Sequence, residues 1–427
     1  MRTKILLLVT VLVLLTTALA QAQGLPTAKP EQVGLSSERL ARITATLKAD
    51  VDKGTIPGAV ILIARQGKIA MFEAVGLRAP LGGAPMAKDA IFRIYSMSKP
   101  ITSVAAMILL EDGKLSLTDP VAKHIPAFGG LKVAVEKAEP SGTSPTLELV
   151  PARRDMIVQD LFRHTAGLTY GIFGNSLVKK MYLEANLFDD SATNAEFVLR
   201  LAKLPLGGQP GSAWDYSHAT DVLGRVVEVV SEKSLYAFEK ERILDPLGMK
   251  DTSFYVTDKR KHDRIAEPFS NDRTIGINTT FNDPRVPQKW ESGGGGMVGT
   301  AADYARFLQM LLNRGTLDGK RVLGPKTVAY MTADHLDASI APGALYLPGP
   351  GFGFGLGFAV RRTDGVSPVP GTAGEFNWGG AGGTYFWVDP REDMFVVFMM
   401  QSPRQRVYYR ALLKDMVYAA VTRSLAR

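Results

Sequence analysis

The chain has 427 residues, 46% hydrophobic and 22% charged, which is apolar enough for a large packed core and excludes wholesale disorder. It contains no cysteine, which excludes a disulfide framework, thiol catalysis, a lipid-modified cysteine anchor and cysteine-ligated metal. The net charge of +8 is scattered along the chain, so nothing argues for a nucleic-acid partner.

Arg2 and Lys4 precede an apolar run from Ile5 to Leu15, broken only by Thr10. Ala18-Leu19-Ala20 and Ala20-Gln21-Ala22 then put small residues at cleavage spacing. The pattern predicts a secretory signal peptide over 1–22 and export to the periplasm or the medium. The run is shorter than the ~18 residues a spanning helix needs, so no stable membrane insertion is expected after cleavage. Residues 23–427 read as one catalytic unit.

Ser36 can cap a helix in which Leu40, Ile43, Leu47 and Val51 recur at helical spacing, closed by Gly54. Ala59 to Arg65 and Lys68 to Val75 are strand-like and joined by Gln66-Gly67, a hairpin. A second helix starts just after Ser96, with Ile101, Val104, Ala105, Ile108 and Leu109 as its apolar stripe and Gly113 at its end. Pro100 fits only in a first turn, where its missing N–H is not needed. The middle of the chain, to about 270, is mainly helical with long loops, and Glu139 to Pro145 is an irregular excursion. A glycine run, Gly293 to Gly296, precedes a helix over Ala301 to Arg314. Gly383 to Val388 and Met394 to Met400 are strands around a turn at Asp389 to Asp393. A last amphipathic helix carries Tyr409, Leu413, Met416, Val417 and Ala420. Strands near both ends predict one sheet built from both termini, about 30–100 and 280–427, with a helical part, about 101–279, inserted between them.

The chemistry centres on Ser96-Met97-Ser98-Lys99. A serine hydroxyl is a poor nucleophile without a base beside it, and residues three apart on a helix share a face. For a lysine to take a proton, burial or a neighbouring cation must disfavour its ammonium form. A helix N-terminus also favours a developing negative charge. The same spacing arises from a helix cap followed by a surface lysine.

The wider context goes further. Phe92 to Thr102 resembles the active-site helix of the serine β-lactamase and penicillin-binding-protein superfamily. Leu115 to Pro120, His164 to Leu168, Tyr216-Ser217-His218, Asp245 to Met249 and Gly294 to Phe307 are similar to further landmarks of it, in order, over about 30–420. The nearest branches by resemblance are the class C β-lactamases and the family VIII carboxylesterases. The resemblance implies an α/β, β-lactamase/transpeptidase-like fold: an antiparallel sheet flanked by helices, with an inserted mainly helical domain. It implies Ser96 as nucleophile, Lys99 and Tyr216 as proton carriers, and the backbone N–H groups of Ser96 and Ala381 as an oxyanion hole. His218, Trp378, Gly379 and Gly380 would meet substrate. His218 could bond substrate, orient Lys99, act as base, or simply line the pocket.

One departure is informative. Where the family carries Lys-Thr-Gly, this chain reads Trp378-Gly379-Gly380. β-Lactam antibiotics carry a carboxylate near the ring, and Trp378 removes a cation that could meet it, worth on the order of 1 to 4 kcal/mol at intermediate dielectric. The change favours neutral, apolar acyl groups resting on an indole. The expected activity is hydrolysis of carboxylic esters of small or medium acyl chains through an acyl-Ser96 intermediate, with a small-molecule ester as partner and no cofactor. The alternatives are a class C-type β-lactamase, a D-alanyl or D-amino-acid peptidase, and a non-catalytic ligand-binding homologue.

Other signals are bland. His164 reads as a brace, and the glycine run lacks the Gly-Lys-Ser/Thr of a phosphate loop. No Gly-x-Ser-x-Gly occurs, which argues against an α/β-hydrolase. The five histidines show no metal-ligand spacing. Tyr170, Phe173, Trp214 and Trp290 either wall the pocket or pack in the core.

Overall fold

A computed structural model describes residues 24–137, 145–343 and 345–426. The expected signal peptide and most of the excursion at 139–145 lie outside the described residues. Helix α1 (Ser37–Asp52) is capped by Ser36, whose Oγ accepts from the Arg39 N–H at 3.2 Å, and it buries Leu40, Ile43 and Leu47. Strands β1 (Gly58–Arg65) and β2 (Lys68–Ala79) follow. Gln66 and Gly67 both take positive φ (54° and 70°), the pairing a two-residue hairpin turn requires. Short β3 (Ala84–Pro85) pairs with the end of β2, and α2 (Ser98–Glu111) comes next.

The excursion has structured flanks. Strands β4 (Lys132–Lys137) and β5 (Thr146–Pro151) form a separate antiparallel hairpin in the region expected to be helical. Most of their side chains face solvent, so they carry little hydrophobic alternation for the sequence to reveal. Beyond them lie α3 (Ala219–Ser231) and α4 (Ala301–Leu312). The last elements are β6 (Phe352–Phe354), β7 (Ala359–Arg361), β8 (Phe376–Gly379), β9 (Tyr385–Asp389), β10 (Met394–Met400) and α5 (Arg406–Ala419).

Among the described residues one eight-stranded sheet dominates, in the order β6-β7-β8-β9-β10-β1-β2-β3, antiparallel throughout. The two chain ends meet where β1 pairs with β10, from Ala59 opposite Met400 to Arg65 opposite Met394. This is the single sheet from both termini that the sequence predicts. β1 is buried from end to end because both faces of the sheet are covered. Ala59, Ile61 and Ile63 pack with Leu40, Leu47, Leu413 and Val417 of α1 and α5. Val60, Leu62 and Ala64 alternate to the other face and join the core of α2 and α4, with Ile101, Val104, Phe307 and Leu308. Among the described residues no helix is long and apolar enough to cross a membrane.

Candidate active site

Ser96 lies in a tight turn, Tyr95 to Met97, immediately before α2. Tyr95 takes φ 44°, a left-handed conformation that an aromatic residue adopts only when its surroundings hold it there. Its ring meets Phe281 edge-on at 5.4 Å, and its carbonyl accepts from Ser98 Oγ at 2.7 Å. Ser98 Oγ in turn accepts from the Met297 N–H at 3.1 Å, so the second serine of the motif fastens the turn and leaves Ser96 to face the cavity.

Tyr216 donates to Ser96 Oγ at 2.6 Å, and Lys99 Nζ lies 3.4 Å from the same oxygen. Lys99 is 1% exposed. Its ammonium donates to the Gly294 carbonyl at 2.5 Å and the Tyr170 hydroxyl at 3.3 Å, and sits 4.7 Å from the centre of the Tyr216 ring. The glycine run explains itself here. A Cβ on Gly294 would come within 2.7 Å of the Asp221 carboxylate, and one on Gly293 within 2.9 Å of Thr102 and of the Thr220 carbonyl. Only bare backbone brings this carbonyl to the lysine.

Behind that contact is a buried acid. Asp221 accepts from the Gly294 N–H at 2.9 Å, from Ser292 Oγ at 2.5 Å and from His218 Nδ1 at 3.0 Å. Burial alone would raise its carboxyl, but the His218 hydrogen bond and the charges of His218 and Lys99, with the Ser292 bond, bring it below the ordinary value. Tyr170 is pushed well above the usual phenol range by burial and by the Asp221 charge, so beside Lys99 it is a neutral hydroxyl.

His218 departs from expectation. It is 1% exposed, is not among the residues lining the cavity, and stands 4.2 Å behind the Tyr170 ring. It does not face substrate from there, and it reaches Lys99 by two routes, through Asp221 and Gly294 and through the Tyr170 ring. Burial lowers its imidazole pKa, against the opposing pull of Asp221. His164 is a brace, as expected: its ring lies against Trp214, Tyr216 and Phe354, and Nδ1 is 3.3 Å from Ser217 Oγ.

Trp378, near the end of β8, lines the cavity, and its Nε1 donates to the Tyr216 hydroxyl at 3.4 Å. Gly379 also faces the cavity, but Gly380 does not. A Cβ on Gly380 would strike Thr384 Oγ1 at 2.2 Å and the Ile94 carbonyl at 2.4 Å, so this glycine packs the strand against the chain leading to Ser96. The turn after β8 closes through the Gly380 N–H to Thr384 O (2.8 Å) and the Gly383 N–H to Gly380 O (3.2 Å). Ala381 lies beyond the β8 ladder, and it lines the cavity together with Ser96. The cavity holds about 950 Å³. Tyr170, Phe173 and Trp290 are among its walls, whereas Trp214 is fully buried and stacks behind Tyr216 at 6.0 Å.

The two buried histidines set an expected acid sensitivity. His164 is driven well below its ordinary value of 6.5 by burial and by the Lys99 charge. The unfolded chain therefore binds this proton where the folded chain does not, and stability is lost as pH falls below about 6.5. The expected slope is about 1.4 kcal/mol per pH unit for each such histidine. Urea unfolding of wild type and His164→Asn between pH 7.5 and 5.5 should show a shallower fall in the variant. Parallel curves would mean that His164 binds its proton as readily in the folded protein as in the unfolded chain.

The beta-lactamase family model matches residues 43–416. The chain belongs to the beta-lactamase family. An uncharacterized protein of Mycobacterium tuberculosis is 36% identical over 365 residues, covering 84% of this chain and 88% of its own length. Esterase EstB of Burkholderia gladioli is 30% identical over 399 residues, covering 89% and 95%. The solved structure of EstCE1, described as a hydrolase with promiscuous acyltransferase activity, superposes with a TM-score of 0.74 at 29% identity, over 89% of this chain and 98% of that one. Within this beta-lactamase-family fold, reading the sequence missed Asp221 and the use of the Gly294 carbonyl. Asp221 lies three residues after His218 at a helix start, a spacing that could have flagged the pair.

Proposed function

We propose that this family member is a serine hydrolase that cleaves carboxylic esters of small or medium acyl chains through an acyl-Ser96 intermediate. The observation that carries the reading is the 2.6 Å contact between Tyr216 and Ser96 Oγ, with Lys99 beneath it, opening onto an aromatic-walled cavity. Likeness to Esterase EstB and EstCE1 supports it. In the form of the enzyme in which Lys99 is the free amine, Ser96 Oγ attacks the ester carbonyl, while the Tyr216 hydroxyl passes its own proton to Lys99 Nζ and takes the serine proton in its place. The carbonyl oxygen, now negative, is met by the N–H groups of Ser96 and Ala381. The C–O bond to the alcohol breaks and the alcohol leaves with the proton. Water then attacks the acyl-serine, regenerating Ser96 and releasing the acid.

Trp378 gives the Tyr216 oxygen a neutral donor where the family's lysine would give a charged one. Turnover of 4-nitrophenyl esters should therefore exceed that of a chromogenic cephalosporin under matched conditions. A fluorophosphonate should add covalently at Ser96, read by peptide mass. Faster cephalosporin turnover would make this a β-lactamase, and no reaction with either would move attention to D-peptides. We further propose export, on the strength of the leader at 1–22, so the enzyme recovered outside the cytoplasm should begin after Ala20 or Ala22.

A further inference from the structure

Glu239 is the last residue of a short helix, Leu235–Glu239, that packs against α2 and α3. Its side chain is fully buried and, among the described residues, enters no ion pair. The charged groups around it offer no counter-ion. Two are carboxylates: Glu228 of α3, which accepts from Asn194 Nδ2 and from Arg225 at 2.9 Å each, and Glu291, which accepts from the Tyr236 N–H at 2.8 Å and from Ser234 Oγ at 3.2 Å. Lys240, Glu241 and Arg242, in the turn that follows, pair with Asp245, Lys233 and Asp112.

The hydrogen bonds point to the form Glu239 takes. Thr102 Oγ1, on α2, lies 2.9 Å from Glu239 Oε1 and 3.1 Å from the Gly293 carbonyl oxygen. A threonine hydroxyl has one proton to give, and a backbone carbonyl only accepts. Each contact is a full hydrogen bond only if Thr102 donates to Gly293 and Glu239 donates to Thr102. Among the described residues Glu239 Oε2 has no hydrogen-bond partner. A buried carboxylate with a bare oxygen and no cation would carry an uncompensated charge, whereas a carboxylic acid carries none. Burial pushes this carboxyl well above its ordinary value of 4.5, against the Thr102 bond and with help from the charges of Glu291 and Glu228.

The acid connects to the active site. The peptide unit between Gly293 and Gly294 is gripped at both ends, its carbonyl by Thr102 and its N–H by Asp221 at 2.9 Å. The next carbonyl, that of Gly294, accepts from Lys99 at 2.5 Å.

We propose that Glu239 is a buried neutral acid and a positioning residue: through Thr102 it fixes the Gly293–Gly294 peptide, and with it the carbonyl that seats Lys99 beside Ser96. Once ionised, Glu239 draws the Thr102 proton to itself, because a charged acceptor bonds about twice as strongly as a neutral one. The Gly293 carbonyl is then released and the lysine loses its fixed seat. The proposal rests on the serine-hydrolase reading for its effect on rate, but not for the acid itself.

Two measurements need no turnover. The unfolded chain releases this proton near 4.5 and the folded chain keeps it, so the stability it contributes is present at low pH and lost as pH rises above that value. Glutamine has no such proton. From urea curves, the unfolding constant of wild type relative to Glu239→Gln should rise about tenfold per pH unit. An infrared difference spectrum of wild type minus Glu239→Gln at neutral pH should show the carbonyl stretch of a protonated carboxyl, shifted in heavy water. Positioning is read by the rate of fluorophosphonate labelling at Ser96 and by kcat for a 4-nitrophenyl ester. Both should fall in wild type as Glu239 ionises on the alkaline side, with KM little changed, and Glu239→Gln should carry the plateau about one pH unit or more higher. In a Thr102→Val background, Glu239→Gln should no longer move that limb. A ratio of unfolding constants that stays flat with pH would overturn the proposal, and so would coincident alkaline limbs. A rising ratio and a labelling limb that moves, in a protein that hydrolyses no ester, would keep the proposal and sink the esterase reading. Ester turnover with a flat ratio would do the reverse.

Discussion

Ser96→Ala should lower kcat/KM for the best ester at least about 10⁴-fold while leaving the fold intact. Ser96 Oγ is the oxygen on which both proton carriers converge, Tyr216 at 2.6 Å and Lys99 at 3.4 Å. Neighbouring hydroxyls cannot replace it. Ser98 Oγ is tied to the Tyr95 carbonyl and the Met297 N–H, and Ser292 Oγ to Asp221. The substitution leaves the buried Tyr216 hydroxyl without its acceptor, so unfolding free energy should fall by about 1 kcal/mol, the net worth of one such hydrogen bond. The checks are steady-state ester hydrolysis, fluorophosphonate labelling and urea unfolding on the same preparation. A variant that retained a tenth of wild-type turnover would place the nucleophile elsewhere.

Lys99→Met should cost about 10³- to 10⁴-fold in kcat, with KM changing far less, because it removes proton transfer rather than a wall of the pocket. Methionine keeps most of the volume of the lysine stem and none of its charge. It leaves the Gly294 carbonyl without its partner and the Asp221 carboxylate without a neighbouring cation. A stability loss on the order of 2 to 3 kcal/mol should therefore accompany the kinetic loss. Lys99→Arg should restore much of the stability and little of the activity, since a guanidinium balances Asp221 but does not accept a proton. Comparison of kcat and urea midpoints across the three proteins reads both effects. If Lys99→Arg restored turnover as well as stability, Lys99 would be a charge brace, and proton transfer would rest on Tyr216.

The juxtaposition of Ser96 and Lys99 was legible because their relation is local. Three residues of one turn set their separation, and Pro100 limits where the helix can begin. The sheet joining both chain ends was legible for a similar reason. Ala59 to Arg65 and Met394 to Met400 are apolar on both faces, and such runs must pair where helices cover both sides. The β4–β5 hairpin was hidden because its strands bury little.

Burial direction was the recurring limit. Tyr216 and His218 are two residues apart, yet one hydroxyl reaches the serine and the other ring sits behind Tyr170 against Asp221. Trp214, Tyr170 and Trp290 look alike as aromatic letters, and only packing puts the first in the core and the other two on the cavity wall. Gly293 to Gly296 announced tight backbone without saying what would approach it. By itself, then, the sequence determined that Ser96 and Lys99 stand together and which strands close the sheet, both of which rest on short-range spacing or on strongly apolar runs, while Tyr216 came from the family resemblance alone. The tertiary structure alone decided that the Gly294 carbonyl and Asp221 hold the lysine, that His218 is turned away from substrate, and that Thr102 comes to rest between Glu239 and Gly293. Those contacts join residues dozens to hundreds of positions apart or depend on which face of an element is buried, and neither is written in local spacing.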